Sequence, residues 1–154
     1  MVLISVGTQK QQFTRIFDLV KRSKRLYKEK IIAQAGYTKY DSKRIEMFEF
    51  IPLDEMEKYI SEADLIISHG GVGTIFSALK KGKKVIAVPR LEKYGEHIND
   101  HQIEICEELE KEGYILYYKD GIDTLDKLIE EVRKKEFKKY DSDNNYLDIL
   151  RKEI

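Results

Sequence analysis

The chain has 154 residues and a formal net charge of zero, with 28 Lys and Arg against 28 Asp and Glu. Hydrophobic residues make up 42% and charged residues 36%, a balance that gives a globular fold with a charged exterior and excludes wholesale disorder. No global field favours nucleic acid, and no nucleic-acid partner is expected. The single cysteine, Cys106, excludes a disulfide framework within the chain and sits in a helical pattern, as a small core residue rather than a reactive thiol. Histidines occur only at 69, 97 and 101, without zinc-binding spacing, so no metal site is expected. The opening Met1-Val2-Leu3-Ile4-Ser5-Val6-Gly7 lacks a basic leader, and no run of about 18 apolar residues occurs. The expected location is cytoplasmic.

In chain order, Val2–Val6 is an apolar run ending at Gly7-Thr8, and reads as a buried strand. Phe13, Ile16, Phe17 and Val20 then recur at helical spacing, followed by a basic stretch through Lys30. Ile31–Ala35 is a second strand, stopped by Gly36. The segment 37–44 is irregular and reads as a surface loop. Met47–Ile51 is a third strand, stopped by Pro52. Leu53, Met56, Tyr59 and Ile60 mark one helical face, with Asp54 as its expected N-cap.

Asp64–Ser68 is a fourth strand and opens onto His69-Gly70-Gly71-Val72-Gly73-Thr74. A helix follows from Thr74 to Lys81 and stops at Gly82. Val85–Val88 is a fifth strand, ended by Pro89. After a polar loop a helix is expected over Ile98–Glu112, stopping at Gly113. Tyr114–Tyr118 is a sixth strand. Leu125, Leu128, Ile129 and Val132 form a further helical face, and a last helix is expected over Tyr146–Leu150. Strands alternate with helices, and the strand runs are apolar without alternation. The pattern predicts one α/β domain over residues 1–154, with a Rossmann-like open parallel sheet of about six strands and helices on both faces.

In such a sheet, ligands bind beyond the carboxyl ends of the strands. The segments there are Gly7-Thr8, Gln34 to Gly36, the loop 69–74, Pro89-Arg90 and the run 94–102. Three glycines within four positions at 70–73 let a ligand approach the backbone, and the helix they open favours an anion. A diphosphate fits this chemistry; a tight turn with packing glycines is the plainer reading. The loop is neither a nucleoside-triphosphate loop nor a Gly-x-Gly-x-x-Gly fingerprint. His69 reads as a cleft residue or as a core histidine. Glu96, His97, Asn99, Asp100, His101 and Gln102 read as sugar or ribose contacts, or as an ordinary capping region. His97 and His101, four apart, can share a helical face, and a metal pair there would lack an evident third ligand. The basic run Lys21–Lys30, like 133–139, reads as a solvated surface or as a contact for anionic lipid heads or an acidic partner.

The sequence His69-Gly-Gly-Val-Gly-Thr-Ile-Phe-Ser-Ala-Leu-Lys-Lys-Gly, with Val85-Ile-Ala-Val-Pro-Arg and Glu96-His-Ile-Asn-Asp-His-Gln, strongly resembles the C-terminal half of GT-B glycosyltransferases of family 28. The whole chain is similar to a stand-alone version of that half. It looks closest to the catalytic subunit that adds the second N-acetylglucosamine to dolichol diphosphate, and to bacterial capsule and exopolysaccharide β-1,4-galactosyltransferase subunits. Val6-Gly-Thr-Gln and Tyr94-Gly-Glu-His favour the bacterial group.

The resemblance implies an inverting transfer from a UDP-sugar, most simply UDP-galactose, to a lipid-diphosphate-linked sugar. It implies no cofactor and no essential metal. It also implies a membrane-anchored partner subunit that supplies the other GT-B half and holds this chain at the inner face of the membrane. Gly70, Gly71, Gly73 and Thr74 match the diphosphate loop, and Asp100, His101 and Gln102 match the motif near sugar and ribose. Gly7 and Thr8 would face the cleft. Ser77 stands where many relatives carry a ribose-binding glutamate. His69 and His97 are the candidate catalytic bases, with Arg90 a candidate for stabilising the departing UDP. A lone half exposes its cleft wall, which predicts a partner or a homodimer across an apolar patch. Three other readings are a one-chain epimerase, which the length disfavours, a non-catalytic nucleotide-sugar-binding module, and a generic α/β domain with an unrelated ligand.

Overall fold

The structure is a computed structural model and describes residues 1–140. The chain runs β1 (Val2–Ser5), α1 (Thr14–Arg22), β2 (Ile31–Gln34), β3 (Ile45–Phe48), α2 (Leu53–Glu62), β4 (Leu65–His69) and α3 (Val72–Lys80). It continues through β5 (Val85–Val88), a short 3-10 turn (Glu92–Tyr94), α4 (His101–Lys111), β6 (Leu116–Tyr117) and α5 (Leu125–Lys134). The six strands form one sheet in the order β3-β2-β1-β4-β5-β6, and every neighbouring pair is parallel.

Both faces of the sheet are covered. Val2 and Ile4 of β1 pack into one core with Ile16, Val20, Leu128 and Val132, the inner residues of α1 and α5. Leu3 points the other way, into a second core with Met56, Ile60, Phe76 and Leu109 from α2, α3 and α4. A strand buried on both faces has no polar alternation to show, which is why the apolar runs were legible as strands.

The element boundaries shift where the chain's own polar groups decide them. Asp54 is not the N-cap of α2: Pro52 occupies that position and Asp54 lies in the first turn, where a carboxylate favours the helix dipole. The third strand spans 45–48 rather than 47–51, because the Ile51 N–H leaves the ladder and donates to Gln34 Oε1 at 2.8 Å. The fourth strand runs one residue further, through His69. Helix α3 starts at Val72, two residues before Thr74, and takes Gly73 into its first turn. Helix α4 starts at His101, so His97 lies in the preceding loop and shares no helical face with it. The expected helix at 146–150 lies outside the described residues.

Candidate functional site

The order of the strands creates the site. From β1 the chain moves outward to β2 and β3, then returns to β4 beside β1 and moves outward the other way. The crevice at such a reversal, beyond the carboxyl ends of the strands, is where open α/β sheets bind ligands. Here the two segments flanking it are Val6-Gly7-Thr8 after β1 and His69-Gly70-Gly71 after β4.

Packing around one ring fixes this crevice. His69 ends β4 with 7% of its surface exposed. A Cβ on Gly71 would lie 1.9 Å from His69 Cε1, and one on Gly7 would lie 2.5 Å from His69 Nε2. The imidazole therefore lies between two glycines because neither has a side chain. Gly7 also holds φ +79°, a left-handed conformation that glycine adopts without strain. The Gly71 N–H donates to His69 Nδ1 at 3.0 Å. A nitrogen that accepts carries no proton, so the neutral ring has its proton on Nε2, toward Gly7.

Burial, and next the charges of Arg90 and His97, push the His69 pKa down to about 3. The ring stays neutral at physiological pH, and such a weak base suits an N–H donor better than a proton acceptor. The linkage has a defined sign. Unfolding raises the pKa toward about 6.5, so stability from the neutral ring is complete above that pH and is lost as pH falls toward 3. At about pH 4.5 the loss comes to roughly 2–3 kcal/mol. His69→Gln is expected to flatten this part of the stability profile, measured by urea unfolding between neutral pH and about pH 4.5.

Arg90 holds the crevice from behind. It follows β5 and is 0% exposed. Its guanidinium donates to Val6 O at 3.1 Å, to Gln11 O at 2.8 Å and to Glu96 O at 2.9 Å, and its carbon lies 4.9 Å from the centre of the Phe13 ring. Burial lowers its pKa to about 10, against the opposing pull of Glu96, so it remains a cation at neutral pH. The expectation that Arg90 meets a departing diphosphate is corrected by this geometry. Its donors are spent on three backbone carbonyls, behind the cleft wall.

Gln102, only 4% exposed, works in the same way. Its Oε1 accepts from Gly70 N at 3.0 Å and from Arg90 N at 2.9 Å, joining the ends of β4 and β5 to α4. Glu96 is buried too. Its carboxylate accepts from Arg15 at 2.9 and 3.0 Å and from Leu91 N at 3.0 Å. Asn99 Oδ1 accepts from His101 N at 3.1 Å, and Asp100 Oδ1 from Glu92 N at 2.9 Å. Gln34 is held by the Ile51 bond. The polar segment thus divides into a buried bracing set and a cleft-edge set: Thr8, Gly73, Asp100 and His101 are exposed, and Gly71, Thr74, His97 and Asn99 are half-buried.

Arg15 braces the crevice and carries no local signal in the sequence. From α1 it reaches Glu96 and the Pro89 carbonyl, the latter at 2.8 Å. Its partner carboxylate is 81 positions away. Among the described residues no group of three His, Cys, Asp or Glu could hold a metal ion. No described helix is long and apolar enough to cross a membrane. Cys106 is buried, and burial, then Glu110 and Glu107, push its thiol pKa up, away from the reactive thiolate.

Among the described residues, six of the seven exposed large apolar side chains lie on this same edge: Tyr37, Phe50, Leu53, Tyr94, Ile98 and Ile122. Tyr37 and Phe50 pack edge to face, with ring centres 5.2 Å apart.

A parallel sheet in this order, with a glycine-opened helix at its switch point, defines a Rossmann-type open α/β domain. The chain belongs to the glycosyltransferase family 28 C-terminal domain, whose family description matches residues 1–150. Among curated proteins it is similar to the human UDP-N-acetylglucosamine transferase subunit ALG13, 41% identical over 64 residues, 42% of this chain and 5% of that protein. The protein of the same name from Debaryomyces hansenii is 29% identical over 120 residues, 71% of this chain and 55% of that one. The chain thus spans only part of these relatives' length. Among solved structures, the glycotransferase of kitacinnamycin superposes with a TM-score of 0.66 at 18% identity, covering 99% of this chain and 38% of that one. The calicheamicin glycosyltransferase CalG4 does so with 0.63 at 15%, covering 98% and 37%. These GT-B neighbours share the fold.

Proposed function

We propose that this chain is the donor-binding half of a UDP-sugar glycosyltransferase that works with a second subunit. The observation that carries the reading is the neutral His69 held between Gly7 and Gly71, at the switch point and against the N-terminus of α3. A diphosphate there would meet an Nε2–H donor, the free amides of the first turn of α3 and the positive end of its dipole. All three stabilise the charge that builds on UDP as the sugar leaves. Thr74 adds a hydroxyl in the same turn. His97 and the exposed ends of Asp100 and His101 border the space for sugar and ribose, while Arg90, Gln102 and Glu96 hold that border in place.

His69 is too weak a base to activate an acceptor hydroxyl. His97, with His101 beside it, is the cleft-side imidazole proposed as the base, and otherwise the base comes from the other subunit. No metal or cofactor is required in this scheme. The apolar edge formed by Tyr37, Phe50, Leu53, Tyr94, Ile98 and Ile122 supports a protein surface across the cleft, and the relatives' subunit names favour a second kind of chain there over a homodimer. The acceptor would be a lipid-diphosphate-linked sugar, and the partner the membrane anchor that keeps this domain at the inner face. The relatives' names favour N-acetylglucosamine as the transferred sugar over the galactose that the bacterial resemblance suggested.

Isothermal titration with UDP, UDP-N-acetylglucosamine and UDP-galactose tests the reading. Saturable binding of UDP, with the acetylated sugar bound more tightly, is the expected result. A preference for UDP-galactose would restore the capsule and exopolysaccharide reading. Absence of UDP binding to both the chain and its complex with a partner would reject the donor site.

A further inference from the structure

The zero net charge conceals a strong division of charge along the strand axis. In a parallel sheet, every connection that enters a strand lies at the amino-terminal edge, opposite the crevice. Here those connections and the helix ends leading into them are 21–30, 41–44, 61–64, 80–84 and 110–113, and the segment 133–139 after α5 joins them, Lys138 N donating to Gly113 O. Together they hold eighteen Lys and Arg against seven Asp and Glu, and the rest of the described residues hold eight against seventeen. Fourteen of the eighteen are lysines.

We propose that this basic edge seats directly on an anionic phospholipid surface. The proposal stands independently of the donor reading, because it concerns the opposite edge of the sheet. Lysines are point charges on long stems, suited to a diffuse negative field rather than to the fixed fork of a carboxylate partner. Lys24, Lys28 and Lys30 are exposed and have no ion pair among the described residues. Between them stands Tyr27, 70% exposed and, among the described residues, the one exposed large apolar side chain outside the crevice edge. The Arg44 guanidinium lies 5.1 Å from its ring centre. An exposed tyrosine flanked by lysines in the chain and capped by an arginine matches the headgroup layer, where an amphipathic ring rests among phosphates.

The surface is preformed. Asp126 accepts from the Ser23 hydroxyl, from Lys24 N at 3.1 Å and from Arg25 N at 3.2 Å, and Leu26 is fully buried. Arg133 pairs with Glu29 at 2.6 Å and Arg25 with Glu130 at 3.0 Å, joining the end of α5 to this loop. The edge continues into a groove of about 540 Å³ lined by Lys80, Lys83, Lys84, Lys135, Lys138 and Lys139. The patch also includes Lys21 and Arg22 on the last turn of α1 and Arg133 and Lys134 on the last turn of α5. A bilayer touching that corner leaves the crevice open to one side.

The test is co-sedimentation of the full chain with vesicles of phosphatidylcholine alone and of phosphatidylcholine mixed with phosphatidylglycerol. Binding to the mixed vesicles only, weakening with salt, is expected. Each lysine near the surface contributes about fivefold. The pair Lys28→Glu with Lys30→Glu should therefore lose more than about tenfold. The pair Lys10→Glu with Lys39→Glu, on exposed segments at the crevice edge, makes the same change in net charge and should leave binding intact. Equal loss in both pairs would overturn the proposal by reducing it to net charge. No binding to the mixed vesicles would also overturn it and turn attention to an acidic protein. An unchanged melting temperature in each variant establishes that folding is not the cause, and UDP titration of the same variants reports separately on the donor site.

Discussion

Arg90→Leu is expected to lower stability by about 3–5 kcal/mol. The reason lies in what the side chain leaves behind. Replacing a buried ion pair with apolar residues is often harmless when both partners go. Here the partners are the backbone carbonyls of Val6, Gln11 and Glu96, which no side-chain substitution removes. Those of Val6 and Glu96 would be buried without a donor, at about 1–3 kcal/mol apiece before relaxation, and the part-buried Gln11 carbonyl would also lose its partner. The stacking on Phe13 would be lost as well. In a domain of this size the effect corresponds to a fall of about 10 °C or more in melting temperature. Arg90→Lys should fall between, since one ammonium cannot span three carbonyls in a fixed fork. Thermal and urea unfolding read both. A cost below about 1 kcal/mol for Arg90→Leu would mean that water replaces the guanidinium and that the loops are not braced from inside.

The second large effect concerns space rather than charge. Gly71 has φ −81° and ψ 138°, which any residue adopts, so backbone strain is absent. Its Cβ would nevertheless fall 1.9 Å from His69 Cε1 and 2.7 Å from Nδ1. The ring has no easy escape, because Gly7 lies on its other side. Gly71→Ala is expected to cost about 1–3 kcal/mol, typical of an overpacked site. The diagnostic is a double-mutant cycle. In a His69→Ala background the obstacle is gone, and Gly71→Ala should cost little. Equal costs in both backgrounds would show that the glycine serves something other than the ring.

These predictions mark where sequence reading reached its limit. The sheet was legible because its strands are apolar on both sides, and the crevice because the polar and glycine-rich segments follow the strands one after another. The start of α3 was misplaced because glycine is a poor helix former, yet Gly71 caps that helix and Gly73 lies inside it. The start of α4 was misplaced because Asn99 satisfies the amide of His101 and so ends the loop there. The roles of Arg90, Gln102 and Glu96 were hidden for another reason. Each looks like a cleft residue in a polar segment, and only the fold turns it inward. Their partners lie up to 84 positions away, a separation at which no local pattern survives. The division of charge was invisible in the total and appeared only once each segment was assigned to an edge of the sheet.

The central claim is that a diphosphate occupies the N-terminus of α3 beside His69. Gly73 offers the cleanest probe, since a Cβ there meets nothing within 4 Å and the position is exposed. Gly73→Glu should leave stability unchanged or raise it, because an acidic side chain suits the first turn of a helix. It should also repel a bound diphosphate. The measurement is titration of UDP into the chain and into this variant, with melting temperatures taken on both. The account predicts saturable binding to the unaltered chain and a loss of about a hundredfold in a variant that melts no lower. Equal UDP affinity in the two proteins would contradict it, and would move the ligand away from the glycine loop.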